Sequence, residues 1–457
     1  MRPRFMLAAL VAATLFSATG CGGRSGTETP AATTASGSTS AAAGDFLDLK
    51  NVCQSGNSTS SPTQGVTAKE IKLGVFSDVG FTKNSEFIDA AKVFTSWCND
   101  AGGINGRKLV TTTRDSKLME VRQRMLEACP EDFALVGGGS ALDALGVKER
   151  LSCLLPSFPA QISQAGNVGS DLQVASWSGP SYDVYAGFHN WLVKEAYPGS
   201  AGAVGVIYGD SPVAKVIAAQ YKESFGAQGG TVSYEGVYPV QGVADWTPYA
   251  QAIKSKGVKG LVFLGDFRQL AKLEQSLTTI GYKLDWIDPN SNAYGPAFLQ
   301  LTGTALASQN NVADLSGVNP LEVTNPATQR VKDLFAKYAP QSQVTLPALR
   351  AFSIWLLFAK SAASCGDALT RTCVYTAARK ETAWTGGGLQ APVDLSQPDA
   401  PLSCFNVVKA TPQGWQAADF KPNSGSYRCN EPSYKFTGNY GKPVTLADVG
   451  KSMSDVK

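Results

Sequence analysis

Histidine is nearly absent from this chain: His189 stands alone among 457 residues. A Ser-His-Asp triad needs a histidine beside its nucleophile, and histidine-based metal sites need several. Gly209-Asp210-Ser211 spells the nucleophile motif of one esterase family, but that motif requires a downstream Asp-x-x-His, and no histidine follows residue 189. The nine cysteines include no CxxC spacing, so they point to disulfides and not to a metal site. Charge is also sparse. Charged residues make up 17% of the chain, the net charge is +3, and no basic stripe interleaves with aromatics, so no nucleic-acid partner is expected. Beyond the amino terminus there is no further run of about 20 apolar residues suited to spanning a bilayer. These absences argue against an enzyme and against a metal or other cofactor.

The amino terminus reads as an export signal. Arg2 and Arg4 precede an apolar run from Met6 to Phe16, which is too short for a permanent span. Ala18-Thr19-Gly20-Cys21 resembles a bacterial lipoprotein cleavage box, with Ala18 where a leucine is usual. The expectation is a signal peptide at 1–20, lipidation of the Cys21 thiol, and a protein anchored on the extracytoplasmic face of the cell membrane. An ordinary secretory signal that happens to contain a cysteine is the alternative. Gly22 to Gly44 is nearly all Gly, Ser, Thr and Ala, and residues 21–65 are expected to form a flexible tether.

What remains is roughly 400 residues, too many for one core and enough for two lobes. Apolar β-prone runs near 71–76, 108–113, 133–137, 153–156, 203–208, 231–237, 260–264 and 284–287 alternate with helical periodicity. The helices are expected at 85–99, 118–128, 141–151, 181–196, 212–226, 247–256 and 267–280. This alternation predicts α/β architecture with doubly wound parallel sheets. The stretch 346–364 is apolar on nearly every side and reads as a buried core helix.

Glu70 to Leu109 carries the clearest wording. Ile71, Leu73, Val75 and Phe76 form a strand; Phe87, Ala90, Ala91, Phe94 and Trp97 recur at helical spacing. Ala101-Gly102-Gly103-Ile104-Asn105-Gly106-Arg107-Lys108 then turns the chain. This block closely resembles the first βαβ unit of type I periplasmic binding proteins, in the branched-chain amino acid receptor branch. Further echoes are Leu135-Val136-Gly137, Ala203–Asp210, Asp245-Trp246-Thr247 and Leu261–Phe267. The resemblance implies two lobes joined by three crossings, near 175–182, 289–295 and 400–407. Lobe 1 would hold 66–178 and 293–400; lobe 2 would hold 182–290 and 407–457. It also implies a lipid-anchored receptor that closes around a small organic ligand and delivers it to an ABC importer permease. A ligand sensor or surface interaction protein on the same fold is the other reading.

In doubly wound sheets the ligand lies beyond the carboxyl ends of the strands. That rule nominates Asp78, Phe81, Ser140, Ala141, Phe158 and Gln161 from lobe 1, and Asp210, Val213, Asp266, Phe267, Asn290 and Tyr294 from lobe 2. The Gly137–Ala141 loop offers backbone N–H groups and the Ser140 hydroxyl to a carboxylate or carbonyl oxygen; a glycine turn with an N-cap serine is the simpler reading. In the resembling receptors an acid follows the proline at the second crossing and pairs the ligand ammonium; here Asn290 follows Pro289. Val213 stands where they have a tyrosine, and Phe158-Pro159 where they have an Ala-Thr type pair. Asp78, Asp210 and Asp266 are candidates for the missing acid. The expected ligands are an amino acid, an amide or an apolar carboxylic acid.

With Cys21 lipidated, eight cysteines remain. In a sheet ordered 2-1-3-4-5 the second and third helices share one face and end at one edge, which pairs Cys129 with Cys153. Cys98 ends the first helix on the other face, near where Cys53 enters, which pairs those two. Cys365 and Cys373 flank a short turn, and Cys404–Cys429 is left for the C-terminal strands.

Overall fold

The computed structural model describes residues 43–176 and 179–457. The expected signal peptide, Cys21 and the tether up to residue 42 lie outside the described residues, as do Trp177 and Ser178 in the first expected crossing. Residues 43–65 are not a free tether. Phe46 is fully buried against Trp97 and Phe352, with ring centroids 6.2 and 5.6 Å away. The Trp97 indole donates to the Ala43 carbonyl at 2.9 Å, and Cys53 is bonded to Cys98. One buried phenylalanine contributes about 1.5–3 kcal/mol, and with the disulfide it holds an otherwise polar segment down.

The first sheet contains β1 (Glu70–Ser77), β2 (Lys108–Asp115), β3 (Ala134–Val136) and β4 (Ser157–Phe158), all parallel in the order β2-β1-β3-β4. β1 is buried on both faces, which is why it reads as an apolar run. On one face lie helices Glu86–Asp100 and Leu346–Ser364, meeting through Phe94, Trp97, Phe352 and Trp355. On the other, Phe76 and Leu135 pack against Val121, Met125 and Ala128 of helix Val121–Glu131. Leu346–Ser364 is long and apolar enough to cross a membrane by composition, and it is buried nearly throughout as a core helix.

The second sheet repeats the pattern with β5 (Val204–Gly209), β6 (Val232–Tyr238), β7 (Gly260–Leu264) and β8 (Trp286–Asp288) in the order β6-β5-β7-β8. β9 (Val312–Asp314) follows, bridged to β8 through Ile287 and Asn311. β10 (Cys404–Phe405) precedes β11 (Val407–Thr411) and β12 (Gly414–Ala417), which extend β9 antiparallel in the order β12-β11-β9; β10 itself pairs with β13 (Arg428–Cys429).

Several boundaries differ from expectation for identifiable reasons. The fourth strand lies at 157–158 instead of 153–156, because Leu154 takes a left-handed φ of 58° and Pro156 has no N–H for a ladder. The helix expected over 141–151 is a 3-10 turn, Asp143–Gly146, followed by Val147–Ser152. The helix expected over 181–196 starts at Ala186, since Asp183 accepts from the Tyr185 N–H, and ends in a π-turn at Leu192–Ala196. At the crossing expected near 289–295 the chain turns, and the helix that follows packs on the one before it. Asn290 turns it with φ 61°, Pro296 opens helix Pro296–Thr302 against helix Phe267–Thr279, and the chain ahead of β9 meets β8 through a single bridge. Helix Pro326–Tyr338 then packs on Glu86–Asp100. At the carboxyl end Leu446 and Val456 pack on Val147, Leu151 and Leu172.

The described residues hold four disulfides, Cys53–Cys98, Cys129–Cys153, Cys365–Cys373 and Cys404–Cys429, the same pairs that topology suggested.

Candidate ligand cleft

Pro159, Ala160 and Ile162 follow β4; Ser316 and Val318 follow β9; together with Ala175, Ser176, Arg350 and Gln390 they line a pocket of about 370 Å³. Arg350 is its one cation. Burial lowers the pKa of its guanidinium, with Tyr185 and Asp314 opposing the shift. The crossing segments run side by side here: the Gly179 N–H donates to the Ala400 carbonyl at 2.7 Å, and Ser181 N–H to the Asp399 carboxylate at 3.1 Å.

Around this floor lie buried acids that the sequence reading missed. Asp314 closes β9 and accepts from the Ser316 N–H at 2.7 Å; burial pushes its carboxyl up to about 8. Asp288 closes β8, accepts from the Asn290 N–H at 2.8 Å, and is pushed up to about 6 by the same cause. Burial also raises the Tyr185 hydroxyl to about 12. Asp183 accepts from His189 Nδ1 at 3.1 Å and from the Ser224 hydroxyl, so the one histidine sits in a buried polar network. Sequence carried one usable signal for this group. Arg350 is the only charge in the otherwise apolar run 346–359, and a charge there is buried with partners or lines a cavity.

The nominated residues distribute unevenly. Asp78 is 8% exposed and turned inward. Its carboxylate accepts from the Ser116 hydroxyl, the Leu118 N–H (3.0 Å), the Ser140 hydroxyl (3.0 Å) and the Ala141 N–H (2.7 Å). One side chain thus ties together the loops that follow β1, β2 and β3. Phe81 lies on the short helix Val79–Thr82 and is 62% exposed. Phe158 is fully buried, edge-on to Phe358 at 5.5 Å, in the lobe core. Gln161 is exposed at the mouth of a second pocket, of about 460 Å³, lined by Phe76, Met125, Leu135, Gly139, Ser140 and Arg150 among others. In that pocket Asp143 is pushed up to about 6 by burial, although Ser163 N–H, Gln164 N–H and Asn167 all donate to it.

In the second lobe Asp210 is exposed and paired with Lys215 at 2.6 Å. Val213 is half-buried in the first turn of helix Pro212–Ala227. Asp266 caps helix Phe267–Thr279, accepting from the Arg268 N–H at 2.9 Å and pairing with its guanidinium at 3.1 Å. Phe267 lies beneath that guanidinium at 5.2 Å. Asn290 is half-buried and caps the turn Ser291–Ala293. Tyr294 is buried; its hydroxyl accepts from the Leu321 N–H at 2.7 Å and donates to Glu322, while its ring meets Trp415 at 5.2 Å. The structure therefore brings Asp78, Ser140 and Ala141 together. It leaves Phe81 exposed on its short helix and Gln161, Asp210 and Asp266 exposed on loops, and it places Phe158 and Tyr294 in packing. Among the described residues no hydrogen bond joins the loops at 77–82, 137–141 and 159–163 to those at 208–213 and 265–268.

The glycines before Ser140 serve internal packing. A Cβ on Gly137, whose φ is 69°, would lie 2.1 Å from Trp355 Nε1, and one on Gly138 would lie 2.4 Å from the Phe76 carbonyl oxygen. Among the described residues no group of three or more His, Cys, Asp and Glu side chains is placed to hold a metal ion.

No curated protein matches the sequence. Among solved structures, a fatty acid ABC transporter substrate-binding protein from Thermomonospora curvata superposes with a TM-score of 0.66 at 18% identity, covering 84% of this chain and 97% of that one. The branched-chain amino acid transporter substrate-binding protein LivJ from Streptococcus pneumoniae, in complex with isoleucine, gives 0.60 at 18% identity, covering 80% and 100%. The leucine-binding protein LivK from Thermotoga maritima gives 0.62 at 11% identity, covering 76% and 97%. At such identities these likenesses establish the fold. The model of the periplasmic binding protein family matches residues 70–414, most of the chain, so the protein belongs to the periplasmic binding protein family and has its type I architecture.

Proposed function

We propose that this protein is a lipid-anchored, extracytoplasmic solute receptor that closes around a small organic molecule and presents it to an ABC importer. The observation that carries the reading is the pocket beside Arg350, where residues that follow β4 of the first sheet meet residues that follow β9. A solute bridging such a floor and the loops above it binds the closed arrangement better than the open one, which is what ligand-driven closure requires. Hinge closure of two lobes around a ligand is the motion of periplasmic binding proteins. The importer rests on the relatives, two of which are named as ABC or branched-chain amino acid transporter components.

Within this reading lobe 1 comprises residues 66–176 and about 320–395, and lobe 2 most of what lies between and the strands after 404. Phe81, Ala141, Gln161, Val213 and Phe267 contact the solute, and Arg350 and Ser316 hold its polar end. Amino acids, amides and apolar carboxylic acids form the candidate class; relatives named for fatty acids and for isoleucine bracket it. Thermal-shift screening of the purified chain against those three classes tests the function, because a ligand that binds only the folded state raises the melting temperature by mass action. A rise confined to one class establishes a solute receptor. A folded protein silent to all of them favours a sensor or surface interaction role. Cys21→Ala tests the anchor: release of the protein from the membrane fraction is the expected result.

A further inference from the structure

The Ser140 hydroxyl and Ala141 N–H of the Gly137–Ala141 loop are donors suited to a carboxylate, and in this chain they are already in use. Ser140 Oγ lies 3.0 and 3.2 Å from the two Asp78 oxygens, and the Ala141 N–H points at one of them from 2.7 Å. The Ser116 hydroxyl and the Leu118 N–H complete the shell. Ser116 and Ser140 are themselves buried, and their hydroxyls lie 3.1 Å apart, both turned to the same acid. A carboxylate accepts at about four lone-pair positions, so Asp78 is saturated. An incoming carboxylate would have to evict a buried acid and leave it without donors, a penalty that a solvated ligand cannot offset.

We infer that Asp78 is a built-in occupant of the anion seat, and that the protein takes ligands whose end against lobe 1 is uncharged. This deepens the solute-receptor reading and rests on it. An amide, an ether or a hydrocarbon end fits this wall, and the pocket behind Gly139 and Gln161 continues it with Phe76, Met125 and Leu135, beside Arg150 and Asp143, whose charged groups are bonded internally. A ligand acid, where there is one, is recognised elsewhere.

The seat is tested without knowing the natural ligand. Asp78→Ala empties it, and acetate or formate should then refill it. The expected result is a saturable rise of about 1–3 °C in the melting temperature of Asp78→Ala in acetate over chloride at equal ionic strength, with the wild type unmoved. Asp78→Asn, which keeps the volume filled, should not respond. If Asp78→Ala does not fold alone, recovery on refolding in acetate is the same readout, and Asp78→Ser is read in parallel. A wild type that responds to acetate as strongly as the variant, or a folded variant that does not respond, overturns the seat. The ligand class is read from carboxylate and carboxamide pairs of increasing chain length, acetate and acetamide to octanoate and octanamide. Wild type should prefer the amide at least tenfold, and Asp78→Ala should reverse that order. Preference for the acid in both proteins overturns the class. If no member of any pair binds, the solute-receptor reading fails, while the acetate arm still decides the seat.

Discussion

Glu274→Gln should make the protein more stable at alkaline pH and erase part of its pH dependence. Glu274 lies on helix Phe267–Thr279, has no exposed surface, and accepts one hydrogen bond, from Asn311 Nδ2 at 2.9 Å; its other oxygen has no partner. Burial raises its carboxyl from the ordinary 4.5 to about 8. The unfolded chain therefore releases this proton near pH 4.5 while the folded chain holds it until about pH 8. The contribution to stability is fully present below pH 4.5, declines as pH rises, and is lost once pH passes 8. Each pH unit in that interval is worth about 1.4 kcal/mol, so about 4–5 kcal/mol disappears between pH 4.5 and 8. An amide does not titrate and removes this slope, whatever its fixed cost. Unfolding entropy of about 2 cal/mol/K per residue converts 4 kcal/mol into roughly 5 °C for a folded unit of about 400 residues. The assay is calorimetry of wild type and Glu274→Gln at pH 5, 6.5 and 8. Asp314, Asp288 and Asp143 slope the same way and remain in both proteins, so the difference between the two curves isolates residue 274. Parallel curves across this range would refute the burial argument.

Three other perturbations separate packing from binding. Arg371→Met strips the donor from the Phe133, Cys153 and Asp132 carbonyls, which the guanidinium reaches at 3.1, 2.9 and 2.8 Å. A loss of about 2–5 kcal/mol in urea unfolding is expected, with ligand response intact. Gly137→Ala combines a left-handed backbone with a clash on Trp355 and should cost about 2–4 kcal/mol or prevent folding. Phe81→Ser, at a 62% exposed ring, should move stability by under about 0.5 kcal/mol while weakening the ligand-induced thermal shift; lost stability with unchanged binding would assign the ring to packing.

The sheets were legible because parallel strands buried on both faces leave apolar runs bounded by glycine and proline. β7 was read at both ends, Gly260 and Leu264, as was helix Leu346–Ser364. The stretch 289–296 was not, because Pro289 and Gly295-Pro296 look like linker and in fact turn the chain and open helix Pro296–Thr302. Phe46 and Cys53 were visible in a segment whose composition said tether, and two residues overruled the rest. The site was the least legible part. Asp78 belongs among the strand-end acids by position, but its partners stand 38, 40, 62 and 63 residues away, and no local pattern announces them.

The three acids nominated to replace the missing ammonium partner now separate by how firmly each is held. Asp78 is fixed by four donors that cannot leave without unpairing three loops. Asp210 and Asp266 are held by flexible, exposed cations, Lys215 at 2.6 Å and Arg268 at 3.1 Å. Exposed pairs of this kind contribute about 0–1 kcal/mol, so a ligand ammonium can replace either partner at little cost. Only these two acids are exchangeable, and both lie in lobe 2. A cationic ligand should therefore lose about tenfold or more in affinity in Asp210→Asn or Asp266→Asn, whichever it uses, with stability changed by under about 1 kcal/mol. A neutral ligand should be indifferent to both. Loss of a cationic ligand through Asp78→Asn alone, with Asp210 and Asp266 silent, would mean that the buried acid opens to solute after all and that its four donors are part of a switch.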